Sequence, residues 1–315
     1  MGESLSGFNP AGADIITLMK LVLPPSFLLL IDKKPGRTSH DEVAIVKKSL
    51  RILGIDAKVG HSGTLDPKVT GLLVIGVGKA TKLLQYLLES PKTYIGEIEI
   101  HKSVSRELLQ TGIDHFVGEI QQLPPQRSSV KRQERTRKIY EMEILEFTER
   151  KASLRCVVER GTYIRKLFHD MGEYMGVGAS MGDLHRTDVA DFSIGDKRII
   201  TTDIFLTLAT AHADSSFFKK RKIKKELLSK IVSPSEIVQS WPKVFVDKGV
   251  EKYIAQGSDL YVPGVFSAKS IEQGKRVAVM NGADVIALGT AQMSDHEMRV
   301  LERGVAVRTE KILLP

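Results

Sequence analysis

Residues 58–80 read KVGHSGTLDPKVTGLLVIGVGKA. The glycines and the Gly78-Lys79 pair invite a phosphate-loop reading, and the spacing rejects it. A Walker loop needs glycine five positions before Gly78 and serine or threonine after Lys79; Leu73 and Ala80 stand there. A dinucleotide fingerprint would need a third glycine where Thr81 stands. Asp66-Pro67 resembles a helix start, with Asp as N-cap and Pro in the first helical position. The run that follows, TGLLVIGVG, is β-branched and glycine-bearing and suits a strand better. Asp66 then sits in a loop kept tight by Gly60 and Gly63, where Asp-Pro is also ordinary turn chemistry. Local pattern alone leaves Asp66 as a turn residue or a carboxylate site.

Working outward, SFLLLIDKKPG reads as a buried strand closed by a Pro-Gly turn. A helix follows, with Thr38 or Ser39 as N-cap, Val43, Val46, Leu50 and Leu53 on one face and Gly54 as its stop. KATKLLQYLLES predicts one helix, KTYIGEIEIH an alternating strand, and the stretch from Arg127 two more strands and a helix from about Tyr163 to Tyr174. Strands and helices mix irregularly, which predicts an α+β fold with a mixed, largely antiparallel sheet flanked by helices.

From Trp241 onward short apolar runs alternate with Gly and Pro, the pattern of a small β-barrel. Between the two lies a strongly basic segment in which six of the seven residues Lys219–Lys225 are Lys or Arg. It reads as a solvated helix face or a tether. The expected organisation is an N-terminal extension over 1–24, a main domain over 25–213, a basic connector over 214–240 and the barrel over 241–315. The 315 residues carry a net charge of +8, which favours a polyanionic partner. The single cysteine, Cys156, allows neither a disulfide nor a cysteine zinc site within the chain. The eight histidines fall in no metal-ligand spacing. The apolar stretch Ile15–Ile31 is interrupted by Lys20 and Pro24-Pro25, too broken to span a bilayer, so a cytosolic protein is expected.

Four ordered stretches carry a family resemblance. GHSGTLDPKVTG resembles the catalytic motif of the TruB-type pseudouridine synthases. KTYIGEI follows at that family's spacing, LPPQRSSVKRQERTRKIYEMEI resembles its lysine-bearing motif, and RGTYIRKLFHDMGEYMGVGASMGDLHRT its arginine-bearing motif with the leucine segment after it. The tail resembles a PUA domain, an RNA-binding module. Together these look closest to the dyskerin-type branch, found in archaea and eukaryotes, which works in the H/ACA guide-RNA particle.

The resemblance implies a pseudouridine synthase fold and an isomerase with no cofactor and no metal. Asp66 would be the carboxylate that works against the ribose as nucleophile or base. Arg165 would pair with it, an opposite charge favouring the reactive anion. Tyr94 would stack on the flipped base and assist at carbon 5. His61 and Leu184 would flank the base pocket, and Lys131 would be structural or contact a phosphate. Without the resemblance, Tyr94 and Leu184 read equally well as core residues and Arg165 as a surface ion-pair partner. Arg127, Lys131, Arg132, Arg135, Arg137 and Lys138 would bind RNA phosphates. In the tail, Gly257 and Gly264 would admit RNA close to the backbone.

The implied partners are an H/ACA guide RNA with substrate rRNA or tRNA, and the small zinc-ribbon or nucleolar-type, glycine-arginine-rich-type and kink-turn-binding proteins of the particle. The location would be cytoplasmic in an archaeon and nucleolar in a eukaryote. Two other readings stand beside this one: a non-catalytic RNA-binding scaffold, and a guide-independent tRNA-modifying enzyme. The segment RTDVADF departs from the family by placing Asp188 where a basic residue is usual.

Overall fold

Two apolar runs seed the larger sheet of the computed structural model, which describes residues 23–123 and 133–314. Strand β1 (Phe27–Lys33) pairs antiparallel with β3 (Thr70–Val77) from Phe27–Val77 to Lys33–Gly71. Side chains alternate between faces along each strand. Phe27, Leu29, Ile31, Leu73 and Ile75 enter one core, while Leu28, Leu30, Leu72 and Val74 enter the other. Both faces are therefore covered, which is why these strands read as continuous apolar runs.

Helix α1 (Ser39–Ile52) starts at Thr38, whose hydroxyl accepts from the Asp41 amide while the Asp41 carboxylate accepts from the Thr38 amide. Strand β2 (Val59–His61) leads into the Asp66 loop and pairs back on β3. The predicted helix at Lys79–Ser90 divides into a 3-10 turn over Gly78–Lys82 and helix α2 (Leu84–Glu89). The first turn is tied to the sheet instead of running on. The Gly78 amide donates to the Lys58 carbonyl and the Lys79 amide to Ser26 Oγ.

Strand β4 (Lys92–Ile100), helix α3 (Arg106–Phe116) and strands β5 (Gly118–Gln122), β6 (Arg135–Thr148) and β7 (Lys151–Val158) follow. Helix α4 (Ile164–Tyr174), strand β8 (Ala179–Val189) and the short β9 (Phe192–Ser193) complete the centre. Helices α5 (Thr202–Asp214) and α6 (Phe217–Ser229) lead to β10 (Ile231–Val232), which closes the sheet edge against β1. The order is β10-β1-β3-β8-β4-β7-β6-β5, with β2 and β9 attached to β3 and β8.

All these pairs are antiparallel except β3 with β8. That parallel contact is close: Gly71, at φ +102°, lies against Arg186, and a β-carbon there would fall 2.3 Å from the Arg186 carbonyl oxygen. Only glycine lets β3 approach β8 in this way.

The C-terminal unit contains β11 (Lys243–Val246), α7 (Glu251–Ala255), β12 (Leu260–Tyr261), β13 (Val265–Ala268), β14 (Arg276–Asn281), β15 (Asp284–Ala291), α8 (Asp295–Val300) and β16 (Val305–Ile312). Its six strands form a nearly closed sheet in the order β12-β16-β15-β14-β11-β13. The unit docks on the back of the larger sheet: Ala278, Met280, Val285 and Leu288 share one apolar cluster with Leu28, Leu30, Leu72 and Val74. Trp241 packs edge-on against Tyr86 with ring centroids 4.9 Å apart, and the Arg276 guanidinium covers both rings.

Candidate active site

Asp66 stands exposed at the tip of the loop between β2 and β3. Arg165 rises from the first turn of α4, and its Nη2 donates to Asp66 Oδ2 at 2.9 Å. The two residues are 99 positions apart in sequence, so only the fold brings them together. Both side chains remain about 60% exposed (59% and 60%), so water still screens the pair.

The loop beneath Asp66 is held from three sides by buried polar side chains, of which the sequence pointed only to Ser39, and that as a helix cap. Lys33, fully buried at the end of β1, donates to the carbonyls of Lys34, Pro67 and Val69. Ser39 Oγ accepts from the Leu65 amide at 2.8 Å and donates to the Leu65 carbonyl at 3.2 Å. Arg186, 1% exposed on β8, donates Nε to the Leu72 carbonyl and Nη2 to the Gly63 carbonyl. Gly63 adopts φ +131°, which lets the loop turn between these anchors. Further backbone bonds run from the Val69 amide to the Asp66 carbonyl and from the Gly36 amide to the Pro67 carbonyl.

These anchors also set the electrostatics. Burial pushes the Lys33 ammonium below the usual lysine value; Glu42 and Asp66 pull it back up, and Arg186 pushes it further down. Burial likewise lowers Lys92 to about 8, helped by Arg186 and Arg160, while its ammonium caps the end of α2 through the carbonyls of Leu87, Leu88 and Ser90. Lys33, Lys92 and Arg186 thus concentrate positive charge beneath the loop. The one buried carboxylate among the described residues, Glu42, is engaged by Thr202 Oγ1. Such a field favours anions at the mouth of the site.

The loop bonds predict the effect of one substitution. Lys33→Met keeps the volume but leaves the buried Val69 carbonyl without its donor, worth about 1–3 kcal/mol. A loss of roughly 1–3 kcal/mol in urea unfolding is expected, together with a fall in kcat. A loss below about 0.5 kcal/mol would show that the ammonium does not hold the loop.

Tyr94 is half-buried on β4, opposite Arg186 on β8 and Cys156 on β7. Leu184 is buried and packs over Gly96, where a β-carbon would lie 2.9 Å from its Cδ1. His61 is half-buried at the start of the loop. Its Nδ1 accepts from the Gly63 amide at 3.2 Å, and its ring meets His40 edge-on at 5.4 Å. Burial, then His40 and Arg186, push His61 below the usual imidazole value, which favours the neutral ring at pH 7. A cavity of about 420 Å³ opens beside the loop between Lys68, Thr70, Glu97, Asp183, Leu184 and His185.

Arg135, Arg137 and Lys138 lie at the start of β6, against the turn that leads into α4. The Glu159 amide donates to the Lys138 carbonyl, and the Arg137 guanidinium lies against Gly161. Arg135 and Arg137 share one face of β6, with Arg137 on the side that leads to Arg165, and Lys138 is exposed on the other face. Arg127, Lys131 and Arg132 fall outside the described residues. Asp188 is engaged locally, accepting from Thr187 Oγ1 at 2.6 Å. Gly257 and Gly264 each have a reason within their own unit. Gly257 turns the chain after α7 at φ +98°, and a β-carbon on Gly264 would press on Val250 and Leu260 at 3.1 and 3.2 Å. Among the described residues no cluster of His, Cys, Asp or Glu is arranged to hold a metal ion, and no helix is long and apolar enough to cross a membrane.

An exposed carboxylate paired with a guanidinium on an anchored loop, with basic side chains nearby, suits a polyanionic substrate. Family comparisons agree with that class. Residues 50–164 match the N-terminal domain of the TruB family of pseudouridylate synthases. Residues 165–239 match the tRNA pseudouridylate synthase B C-terminal domain, and residues 242–313 a PUA domain. The probable tRNA pseudouridine synthase B of Pyrococcus abyssi is 40% identical over 290 residues, covering 90% of this chain and 83% of the relative. Its counterpart in Pyrobaculum calidifontis is 39% identical over 293 residues, covering 92% and 84%.

Among solved structures, a Cbf5-Nop10-Gar1 complex contains a chain that matches with TM-score 0.77 and 37% identity, covering 98% of this chain and 90% of that one. An H/ACA RNP bound to a substrate RNA containing 2′-deoxyuridine matches with TM-score 0.77 and 35% identity, covering 95% and 87%. The chain belongs to the TruB family and is a pseudouridine synthase, an isomerase carrying a C-terminal PUA domain.

Proposed function

We propose that the chain converts uridine to pseudouridine in RNA as the catalytic subunit of a guide-directed particle, with Asp66 as the reacting carboxylate. The observation that carries this reading is the 2.9 Å Arg165–Asp66 contact on an anchored loop. In the reaction the target base leaves its stack and is brought to Asp66, where Tyr94 would stack on it and His61 and Leu184 would flank it. Asp66, aimed by Arg165, acts as nucleophile or base at the ribose while the bond from N1 to C1′ breaks. The base turns, a bond forms from carbon 5 to C1′, carbon 5 gives up its proton and N1 gains one. Atoms balance without any co-reactant, as an isomerisation requires. Arg135, Arg137 and Lys138 hold the RNA by its phosphates, and the PUA domain adds a second RNA contact.

Guide dependence is supported by the likeness to chains of H/ACA assemblies across nearly the whole length. The same likeness supports small protein partners of the kinds found there. The relatives named tRNA pseudouridine synthase B favour a second reading, activity on tRNA without a guide. Tritium release from carbon-5-labelled uridine RNA separates the two. Turnover of an rRNA fragment only with guide RNA and partner proteins is expected under the first reading. Turnover of tRNA by the isolated chain supports the second, and no turnover in any arm would leave only an RNA-binding scaffold.

A further inference from the structure

The basic run at 219–225 has no part in the site just described. The fold makes it one face of helix α6, packed on α5 through Ile223 and Leu227, which enter the main core. At about 100° per residue, those two apolar residues fix the inner face and turn Arg221, Lys222 and Lys225 outward, all three exposed. Lys220 and Lys224 lie on the flank towards α5, beside the buried His212. His212 is pushed below the usual imidazole value by burial and by these two lysines, so it adds no positive charge at pH 7.

None of the six cations forms an ion pair among the described residues. Arg221 and Lys225, and Lys220 and Lys224, stand at i,i+4, where like charges destabilise a helix. The helix also lacks a side-chain hydrogen bond at its N-cap and an acid in its first turn. A solvated face would intersperse both signs. Apart from Glu226, exposed one turn after Lys222, this helix accumulates one sign at a cost to its own stability, which a polyanion would relieve.

Position narrows the role. Helix α1 grips the Asp66 loop through Ser39, α5 packs on α1, with Arg37 bonded to Asp203, and α6 packs on α5. Helices pack 8–10 Å apart, so α6 lies up to about 20 Å from the α1 axis. A face on that outer helix would meet RNA continuing beyond the target nucleotide.

We propose that α6 is a further RNA-binding surface, on which Arg221, Lys222 and Lys225 bind the phosphate backbone of the substrate or guide RNA outside the catalytic cleft, without reading its sequence. This rests on the chain acting on RNA and not on guide dependence.

The test uses the full chain, with guide RNA and partner proteins added where turnover requires them, and a labelled RNA that carries the target uridine with long flanking stems. In the triple variant Arg221→Gln, Lys222→Gln, Lys225→Gln, the slope of log affinity against log salt should become shallower by about 2–3, because each phosphate left unneutralised takes about 0.7–0.9 from it. Affinity near 0.15 M salt should fall at least about tenfold. KM should rise with it, while kcat at saturating RNA stays unchanged, which also shows that the variant is folded. Lys222→Arg with Lys225→Arg should retain binding. Unchanged slope and affinity in the triple variant would overturn the proposal. So would unchanged RNA binding together with abolished binding to vesicles of anionic phospholipid.

Discussion

Replacing Arg165 by Met is expected to lower kcat by about 10²–10³-fold while leaving the unfolding midpoint within error of the parent. The two halves of this expectation come from one geometry. In the free protein the Arg165–Asp66 pair is mostly exposed, and an ion pair in that setting contributes about 0–1 kcal/mol to folding. A bound RNA would cover the pair and exclude water, and in that drier setting the same contact strengthens several-fold. The guanidinium then fixes the carboxylate where charge develops, a contribution felt in the transition state and not in the fold. A structural ion pair would show the reverse: a lower midpoint and intact turnover. Arg165→Lys should restore only part of the activity, because an ammonium cannot reproduce the planar donor fork. Steady-state kinetics at saturating RNA, alongside thermal unfolding, reads both halves.

The reach of the sequence differed from residue to residue. Alternation and turn signals were enough for β1, β3 and β4, because apolar runs between Gly and Pro carry their own periodicity. They were enough also for the α+β class and the small C-terminal sheet. The capped start of α1 was legible to within one residue, with Thr38 as the cap. Asp66 alone was not legible as a site; local chemistry allowed a turn, and only the ordered motifs singled it out. Its contact with Arg165 depends on α4 meeting a loop 99 positions earlier, which no local window contains.

Lys33 and Arg186 escaped notice, and Ser39 was read as a possible helix cap, because their work on the loop is done through backbone carbonyls and amides. Sequence patterns register side-chain spacing and are blind to such partners. One signal was present for Lys33: a cation ending a strand that is otherwise buried on both faces must spend its donors internally. For Arg186, the neighbouring Asp188 drew the eye as a departure, yet the buried arginine two positions earlier carries the loop. The single helix expected at Lys79–Ser90 divided because Gly78 and Lys79 are bonded to Lys58 and Ser26, tertiary ties that override local propensity.

The central claim is that Asp66 is the reacting group, and Asp66→Asn addresses it with the smallest change in shape. The amide retains the size and one acceptor oxygen but loses the charge, so it can neither attack the ribose nor take a proton from it. Removing a reacting group commonly costs 10³-fold or more in kcat, here at least about 4 kcal/mol of barrier. RNA binding should stay near that of the parent, since the proposed phosphate contacts lie on Arg135, Arg137, Lys138 and the PUA domain. The decisive measurement is single-turnover tritium release from carbon-5-labelled uridine RNA with enzyme in excess over RNA. The account predicts no release above background from the Asp66→Asn protein while it binds the RNA as the parent does. Release within about tenfold of the parent rate would contradict it.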